Sequence, residues 1–353
     1  MNWKSTIALA AAAVSIPLGA LAVTVETAAP GEKAEIAVLL PGKAHDNGFM
    51  EAGYRGYERI AAEVTPRVVC VSDVSAVSDR AALTAELEKL ASQGPRLIIG
   101  HGGQMNGPVS TVSKAYPQIQ FAVIQGNVTG TNVSSYAVNQ EQSAFLAGAL
   151  AGYMTRTGKV GHISGAWPKP GLQARAAFYH GLIYANPKAV LYSTFTGNLD
   201  DAAVNKEAAE AQIQAGCDVI YTMLNGGRSG VTEAAASTGG KVREIGNVID
   251  WTKESPVFIG SAVADSSVAL VHAAQDYQQG TWKAGTVKKI GLEDSSIVRL
   301  AISPDVPAEI QTKLMTLQKQ MEDGTIVIST DYTGPEFDTR TGTFVSQDAK
   351  NHR

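Results

Sequence analysis

Cysteine is scarce in this chain, whose 353 residues include only Cys70 and Cys217. Two cysteines cannot form a disulfide framework, and the sequence has no Cys-x-x-Cys pair or histidine cluster with metal-ligand spacing. We therefore expect both to be small buried hydrophobic residues and predict no metal and no cofactor. Charge is sparse too, because charged residues make up 18% of the chain and 33 acidic residues exceed 29 basic ones. A surface that follows phosphates needs a basic excess, so nucleic acid is not an expected partner.

Long apolar runs are equally rare, and the longest lies near the N-terminus. The run TIALAAAAVSIPLGALA follows Lys4 and ends at the small-x-small sequence Ala20-Leu21-Ala22. It is too short and too rich in alanine for a membrane span, and Pro17 and Gly19 would interrupt a buried helix. We predict a secretory signal peptide over residues 1–22. No cysteine near the cleavage site offers a lipid attachment point, so we expect a periplasmic mature chain.

From Ala34 onward, short apolar runs alternate with longer segments of helical character. The first series of strand-like runs is AEIAVLLPG, RVVCVSDV, PRLIIGHGG and IQFAVIQGN, and the second is KVGHISGAW, AVLYSTFTGN, CDVIYTMLN and KVREIGNV. Strands that are apolar on both faces and separated by helices belong in a parallel sheet that helices cover on both sides. The pattern predicts an α/β protein with two lobes, each built on a parallel sheet.

Small or polar residues follow many of these strands, where the next helix should begin. The polar side chains at such ends include Asn47, Gln104, Asn106, Asn225 and Asn247. In open parallel sheets the ligand crevice lies outside the carboxyl ends of the strands. We expect two lobes facing each other there to enclose a cleft in which these side chains surround a small polar molecule. Each of them taken singly is also a favoured helix cap or turn residue.

Four stretches carry a resemblance to a known family: AVLLPGKAHDNGFMEAGYRG, NQEQSAFLAGALAGYMTRTGKVGHISG, EAAEAQIQAGCDVIYTMLNGG and EIQTKLMTLQKQMEDGTIVI. Together they resemble the basic membrane protein family, the purine nucleoside-binding solute receptors of ABC transporters. The resemblance runs from about Ala34 to Ile328 and implies a type I periplasmic-binding-protein fold, with two Rossmann-like lobes joined by a three-crossing hinge. By analogy, lobe I covers 34–136 plus 262–297, and lobe II covers 137–261 plus 298–353.

The resemblance also implies ligand-binding residues. Asp46 and Phe49 match the family's first-loop motif, whose aromatic ring resembles a stacking platform for a purine, although Phe49 could instead be the first core residue of its helix. Asp201 matches the acidic residue of a second loop, but Leu199 stands where a second stacking aromatic is expected. Trp167 or Trp251, each in a strand-end loop, could replace that aromatic, and either could equally be a packing residue.

Several positions depart from the family pattern. Val248 stands where an aspartate would contact the ribose hydroxyls, Ala264 where a lysine is typical, and Gly107, beside Asn106, where another aspartate is expected. A buried hydroxyl left without a partner costs about 1 to 3 kcal/mol. The departures therefore favour a bare nucleobase or a related planar heterocycle over a nucleoside.

These observations predict an extracytoplasmic solute-binding protein of an ABC importer, which binds a purine nucleobase or nucleoside-like heterocycle and passes it to a membrane permease. We expect a monomer without enzymatic activity. A ligand-sensing receptor for a membrane signalling protein shares every feature used above and stays an alternative. A secreted nucleosidase is the third reading, although the sequence contains no G-x-S-x-G, HExxH or P-loop motif.

Overall fold

The computed structural model describes residues 23–74 and 79–346. The predicted signal peptide, residues 1–22, lies outside this described part of the chain. In chain order the strands are β1 (Thr24–Thr27), β2 (Ile36–Leu39), β3 (Val68–Ser72), β4 (Leu97–His101), β5 (Gln120–Ile124), β6 (Val133–Val138), β7 (Lys159–Ser164), β8 (Val190–Phe195), β9 (Val219–Met223), β10 (Arg243–Val248), β11 (Phe258–Ala264), β12 (Val287–Ile290), β13 (Val298–Ile302), β14 (Glu336–Asp338) and β15 (Thr343–Val345).

The helices alternate with these strands over most of the described chain. They are α1 (Phe49–Glu63), α2 (Arg80–Ser92), α3 (Asn106–Val112), α4 (Gln140–Met154), α5 (Lys169–Ala185), α6 (Ala202–Gln214), α7 (Arg228–Ala236), α8 (Ser266–Gln278) and α9 (Ala308–Glu322). Two helices begin at aspartates whose carboxylates accept backbone N–H groups of the first turn, Asp79 before α2 and Asp201 before α6. Such side chains satisfy donors that have no partner within the helix.

The strands form two large sheets and a separate hairpin. The first sheet has the order β1-β3-β2-β4-β5-β6-β12, the second has the order β13-β11-β10-β9-β7-β8, and β14 pairs with β15. Pairings from β3 to β6 and from β11 to β8 are parallel, whereas β1 and β13 are antiparallel neighbours. The prediction of an α/β fold with two parallel-sheet lobes is confirmed.

The described chain divides into two compact units. Unit 1 comprises residues 23–45, Met50–Ala137 (apart from 75–78) and Ser266–Lys289, and unit 2 comprises Asp46–Phe49, Val138–Asp265 and residues 290–346. The chain therefore passes from one unit to the other after Ala137, Asp265 and Lys289, besides the short excursion at Asp46–Phe49. Each unit contains one of the large sheets.

These boundaries differ from the ones expected by analogy, which start the second part of lobe I at 262 and end it at 297. In the structure β11 runs unbroken to Ala264 and pairs with β10 on one side and β13 on the other. A strand with partners on both sides in one sheet cannot be divided between units, so the second part of unit 1 begins at Ser266. Ala264 consequently belongs to unit 2.

The hydrophobic core of unit 2 includes a close crossing of α4 and α5. A Cβ atom added at Gly148 would lie 1.9 Å from the Phe178 carbonyl oxygen, and one added at Gly181 would lie 1.9 Å from the Phe145 carbonyl oxygen. Only glycine allows the two backbones to approach so closely. Phe145 and Gly148 lie in the stretch NQEQSAFLAGALAGYMTRTGKVGHISG, one of the four that carry the family resemblance, and this stretch thus has a packing role.

Candidate functional site

Four neighbouring strands of unit 2 end at one edge of its sheet. The order β10-β9-β7-β8 and the parallel pairing bring their carboxyl ends together. Of the residues predicted from sequence, Trp167 follows β7, Asn225 follows β9, and Asn247 is the penultimate residue of β10. This edge is the place where an open parallel sheet offers a ligand site.

The segment Asp46–Phe49 also belongs to unit 2 and contacts this edge. Asn225 donates from its side-chain Nδ2 to Asp46 Oδ2 at 2.9 Å, and the Gly48 backbone N–H donates to Asp46 Oδ1 at 2.8 Å. A Cβ at Gly48 would lie 2.0 Å from Asn225 Oδ1, so a side chain at this position would displace the Asn225 amide. Asn47 has a positive φ of 54°, a conformation that asparagine tolerates better than most residues. Phe49 is half-buried at the first position of α1.

A buried arginine that sequence analysis did not select organises the neighbouring strand ends. Arg228, the first residue of α7, is 3% exposed. Its Nη1 donates to the Thr222 carbonyl oxygen at 3.1 Å and to Thr222 Oγ1 at 2.6 Å. Its Nη2 donates to the Leu224 carbonyl oxygen and to Asn247 Oδ1, both at 2.6 Å. Asn247 therefore serves to hold Arg228 in place.

The charge of Arg228 faces a buried carboxyl group. Glu244 is fully buried, and it accepts hydrogen bonds from Thr222 Oγ1 and Thr232 Oγ1, each at 2.7 Å. Burial raises the pKa of Glu244 to about 7, although the charge of Arg228 opposes that shift. Burial likewise lowers the pKa of Arg228 to about 10. The Thr222 hydroxyl, which contacts both groups, links them.

Trp251 packs on this buried cluster. The Arg228 guanidinium carbon lies 4.5 Å from the centroid of the indole ring, and the indole Nε1 donates to the Asn247 carbonyl oxygen at 2.9 Å. A Cβ at Gly246 would lie 2.5 Å from Trp251 Cδ1, so the ring rests directly on the strand. One face of Trp251 and its N–H group are thus already used by the protein.

Trp167 has a different environment. Its side chain is 52% exposed, and its ring stacks on Phe195 with 5.1 Å between centroids and 23° between planes. Phe195, the last residue of β8, is 8% exposed. Asp201, at the next loop, uses its Oδ1 to accept the backbone N–H groups of Ala203 and Val204. Asp201 therefore acts as the cap of α6.

Two departures from the family pattern lie at neighbouring strand ends in unit 2. Val248 ends β10 opposite Val263 of β11, and Ala264 is the next residue of β11. Val248 has a φ of 71°, which is strained for a β-branched side chain. The structure thus brings both altered positions to one place, although they are distant in sequence.

Unit 1 holds the remaining two predicted residues. Gln104 and Asn106 follow β4, and Asn106 Oδ1 accepts the Asn127 backbone N–H at 3.1 Å. Gly102, with a φ of 99°, provides the turn that starts this loop. A Cβ at Gly107, where the resemblance leads us to expect an aspartate, would lie 2.8 Å from Arg80 Nε.

Within residues 23–74 and 79–346, no cluster of three or more His, Cys, Asp or Glu side chains is arranged to hold a metal ion. Over the same residues, none of the helices combines the length and apolar character needed to cross a membrane. Cys70 and Cys217 are both free and buried, as expected for small hydrophobic residues.

The sequence matches the family described as PnrA-like ABC transporter substrate-binding proteins over residues 33–331. The chain belongs to this family. It is therefore a solute-binding protein of the ABC transporter class, whose members bind small molecules and deliver them to a permease. The resemblance to basic membrane proteins is confirmed.

Relatives in this family have different names. Basic membrane protein A2 of Borrelia garinii subsp. bavariensis is 23% identical over 300 residues, which cover 83% of this chain and 88% of the relative. Transcriptional activator protein med of Bacillus subtilis is 24% identical over 296 residues, which cover 83% of this chain and 90% of the relative. Membership alone does not fix the ligand.

Solved structures with the same fold include a solute-binding protein of an ABC transporter system from Aeropyrum pernix. It has a TM-score of 0.74 and 21% identity, and the match covers 84% of this chain and 93% of that chain. A transcriptional activator of the comK gene from Bacillus halodurans has a TM-score of 0.69 and 23% identity, with coverages of 83% and 99%. These similarities confirm the periplasmic-binding-protein-like fold.

The predicted site residues thus differ in whether they contact one another or are engaged by Arg228. The structure brings Asp46 and Asn225 into direct contact, whereas Asn247 and Trp251 are engaged by Arg228. Arg228 has no phosphate-loop signal in the sequence, because NGGRSG lacks the Gly-Lys-Ser/Thr sequence of such a loop. The usable signal was an arginine directly after a Gly-Gly turn at a strand end.

Proposed function

We propose that this solute-binding protein takes a purine nucleobase, or a related planar heterocycle, as its ligand. The observation that carries the proposal is the exposed Trp167 ring, stacked on Phe195 at the edge where the strands of unit 2 end. A flat heterocycle can stack on such a ring, because every nucleobase has a π-face. Trp167 is the residue that we propose for the missing second aromatic.

The polar pair Asp46 and Asn225 is proposed to contact the edge of the base. Asp46 Oδ2 accepts from Asn225, and Asp46 Oδ1 accepts the Gly48 N–H, so both side chains are held at this strand end. A carboxylate oxygen can accept more than one hydrogen bond, and the Asn225 amide has a carbonyl oxygen besides its N–H groups. Asn47, Phe49, Gln104 and Asn106 stay predicted ligand residues. Asp201, Asn247 and Trp251 are weaker candidates, because the first caps a helix and the other two contact Arg228.

Val248 and Ala264 support the preference for a base over a nucleoside. Neither side chain can form hydrogen bonds, and they lie at the ends of adjacent strands. A ribose placed beside them would lose water contacts without gaining partners, at a cost of about 1 to 3 kcal/mol per dry hydroxyl. We propose a preference of about tenfold or more for the base.

We further propose that the mature protein acts in the periplasm after removal of residues 1–22 and passes the ligand, as a monomer, to an ABC permease. Binding without chemistry is sufficient for this role. A ligand drives such a protein into its bound state by preferring that state, which requires about 5.5 kcal/mol for a full reversal from 1:99 to 99:1.

Calorimetry on the mature chain tests the ligand class. A thermal-shift screen of nucleobases, nucleosides and sugars finds the ligand, because saturation at 100 times Kd adds about 2.7 kcal/mol of stability. Competition between hypoxanthine and inosine, and between adenine and adenosine, then measures the preference. Tighter binding of either nucleoside would overturn the preference for a bare base, and binding of sugars alone would overturn the purine proposal.

A chromatographic assay tests the absence of catalysis. Inosine, adenosine and guanosine are incubated with the protein, and the expected release of free base equals that of a buffer control. Steady turnover that a Trp167→Ala substitution abolishes would mean that the protein is a nucleosidase.

A further inference from the structure

The chain continues beyond the family match, which ends at residue 331, and the part up to 346 packs on unit 2. We call residues 332–346 the C-terminal segment. Its strand β14 lies beside β8, where Thr194 Oγ1 donates to the Phe337 carbonyl oxygen at 3.0 Å. Phe337 is 2% exposed, and its ring centroid lies 5.0 Å from that of Tyr192. The segment is thus an integral layer of this unit.

The C-terminal segment supplies two contacts to a buried arginine. Arg175 of α5 is 4% exposed, and its Nη1 donates to Ser193 Oγ at 3.1 Å. Its guanidinium carbon lies 4.2 Å from the centroid of the Tyr332 ring, and Nη1 lies 4.0 Å from Glu336 Oε1. A buried cation needs a counter-charge and close polar or aromatic partners. Tyr332 and Glu336 provide both.

The same arginine contacts the candidate ligand platform. Its guanidinium carbon lies 5.3 Å from the centroid of the Phe195 ring, which stacks on Trp167. A continuous row of contacts therefore runs from Tyr332 through Arg175 and Phe195 to Trp167. Arg175 itself is too deeply buried to touch a ligand at the exposed face of Trp167, so its influence passes through Phe195.

We propose that Tyr332 and Glu336 are positioning residues for the ligand platform, which they fix by holding Arg175 against Phe195. Loss of either contact lets Arg175 and Phe195 shift, and the Trp167 ring then has several orientations in place of one. A ligand must then order the ring when it binds, and the entropy lost by that side chain lowers the affinity. A ring that is already fixed avoids this loss. This inference rests on the role proposed above for Trp167.

The test uses the full mature chain and three single variants. Tyr332→Leu removes the ring over Arg175, Tyr332→Phe keeps the ring and removes only the hydroxyl, and Phe344→Leu alters the same segment away from Arg175. Phe344 is 41% exposed and contacts Tyr192 and Phe337, so it is a matched control for disturbance of the hairpin. The probes are hypoxanthine and adenine.

Two readouts separate positioning from simple stability. The first readout needs no ligand and is the near-ultraviolet circular dichroism of Trp167. For each protein this signal is obtained by subtracting the spectrum of the same protein that also carries Trp167→Phe. The signal should fall in Tyr332→Leu and persist in Tyr332→Phe and Phe344→Leu. The second is Kd, which should rise about 3- to 10-fold in Tyr332→Leu and less than twofold in the other two variants. In a Trp167→Ala background, Tyr332→Leu should add no further loss.

An unchanged Trp167 spectrum in Tyr332→Leu would overturn the inference, as would an equal loss of affinity in Phe344→Leu. If Tyr332→Leu does not fold, Glu336→Gln is judged by the same readouts, because it removes the counter-charge and keeps the side-chain volume. A spectral change without purine binding would support the positioning role and contradict the proposed ligand, so the two failures are distinguishable.

Discussion

The two loop tryptophans of unit 2 follow β7 and β10, which are separated by β9 in the same sheet, yet they are held in different ways. Trp251 lies against the buried Arg228, donates its N–H to the protein and packs on Gly246. Trp167 has no direct contact of that kind with the buried Arg175, which lies against Phe195, one ring away. A buried arginine thus lies near each tryptophan, in direct contact with Trp251 and one ring away from Trp167, and of the two rings only Trp167 keeps half of its surface exposed.

A strand end can thus serve either as framework or as a binding surface. A ring whose polar atom and one face are satisfied by the protein gains little from a ligand. A ring that rests on another ring gains a rigid support and leaves a face for stacking. On this physical ground Trp167, and not Trp251, is the better candidate for the second aromatic.

The largest expected effect concerns Arg228, the buried residue on which Trp251 packs. Arg228→Met should lower the free energy of unfolding by about 3 to 5 kcal/mol, because it leaves Glu244 buried without its counter-charge. Urea unfolding at neutral pH measures the change. Arg156→Met is the control, since the Arg156 side chain is 72% exposed and its loss should cost less than about 1 kcal/mol. Equal losses in both variants would contradict the importance of the buried cluster.

A second prediction uses pH. Burial raises the pKa of Glu244 from the ordinary 4.5 to about 7 in the folded protein. Between these values the folded chain binds more protons than the unfolded chain, so stability falls as pH rises through this window, by up to about 3 kcal/mol. Unfolding free energies of the wild type and Glu244→Gln are compared at pH 5 and pH 8. The wild type should lose more stability than the variant, and identical losses would disprove the shift.

The third prediction compares the effects of replacing Trp167 and Trp251 on ligand binding and on stability. Trp167→Ala should weaken purine binding about 5- to 150-fold, the range for loss of a stacked base, with little change in melting temperature. Trp251→Ala should instead destabilise the fold by about 2 to 3 kcal/mol, because the packed ring leaves a cavity over Arg228. Calorimetry and thermal unfolding are measured on both variants. The reversed pattern would make Trp251 the platform.

The first-loop aromatic gives a fourth prediction of similar type. Phe49→Ala should raise Kd about 5- to 150-fold if the ring stacks on the ligand. Folding should largely survive, because Phe49 is only half-buried at the start of α1. An unchanged Kd together with a large drop in melting temperature would assign Phe49 to the core.

The smallest effect concerns Val248, whose positive φ suits aspartate better than a β-branched residue. Val248→Asp should therefore leave the backbone undisturbed and change stability by no more than about 1 kcal/mol. It should also move the base-to-nucleoside preference toward the nucleoside, as measured by competition calorimetry. Val248→Asn, which fits the backbone without adding charge, is the matched control. Unaltered preferences in the aspartate variant would mean that position 248 does not face the ligand.

The parallel sheets were predictable because their strands are continuous apolar runs, such as Val68–Ser72, which is buried at every position. The edge strands could not be predicted in this way. Thr24–Thr27 alternates half-buried and exposed residues, and Thr343–Val345 is mostly exposed. Such short segments have little hydrophobic signal of their own and become strands by pairing with a neighbour, Thr24–Thr27 with β3 and Thr343–Val345 with β14.

The same limit applies to the candidate site. Sequence alone placed Asn225 and Trp167 after strands, because polar residues after an apolar run mark a strand end. It could not show that Asn247 is used by Arg228, since those residues are 19 positions apart and meet only when β9 and β10 pair. Whether a polar side chain is available to a ligand depends on which neighbours the folded chain brings to it.

The sequence by itself determined the α/β class, the family and the positions of the strand-end loops, because hydrophobic periodicity and motif spacing are local properties of the chain. Only the tertiary structure decided which tryptophan is exposed, whether Glu244 is buried and whether Tyr332 contacts Arg175. These facts arise from contacts between residues distant in sequence. Burial and electrostatic environment depend on the sum of such contacts, which no local pattern contains.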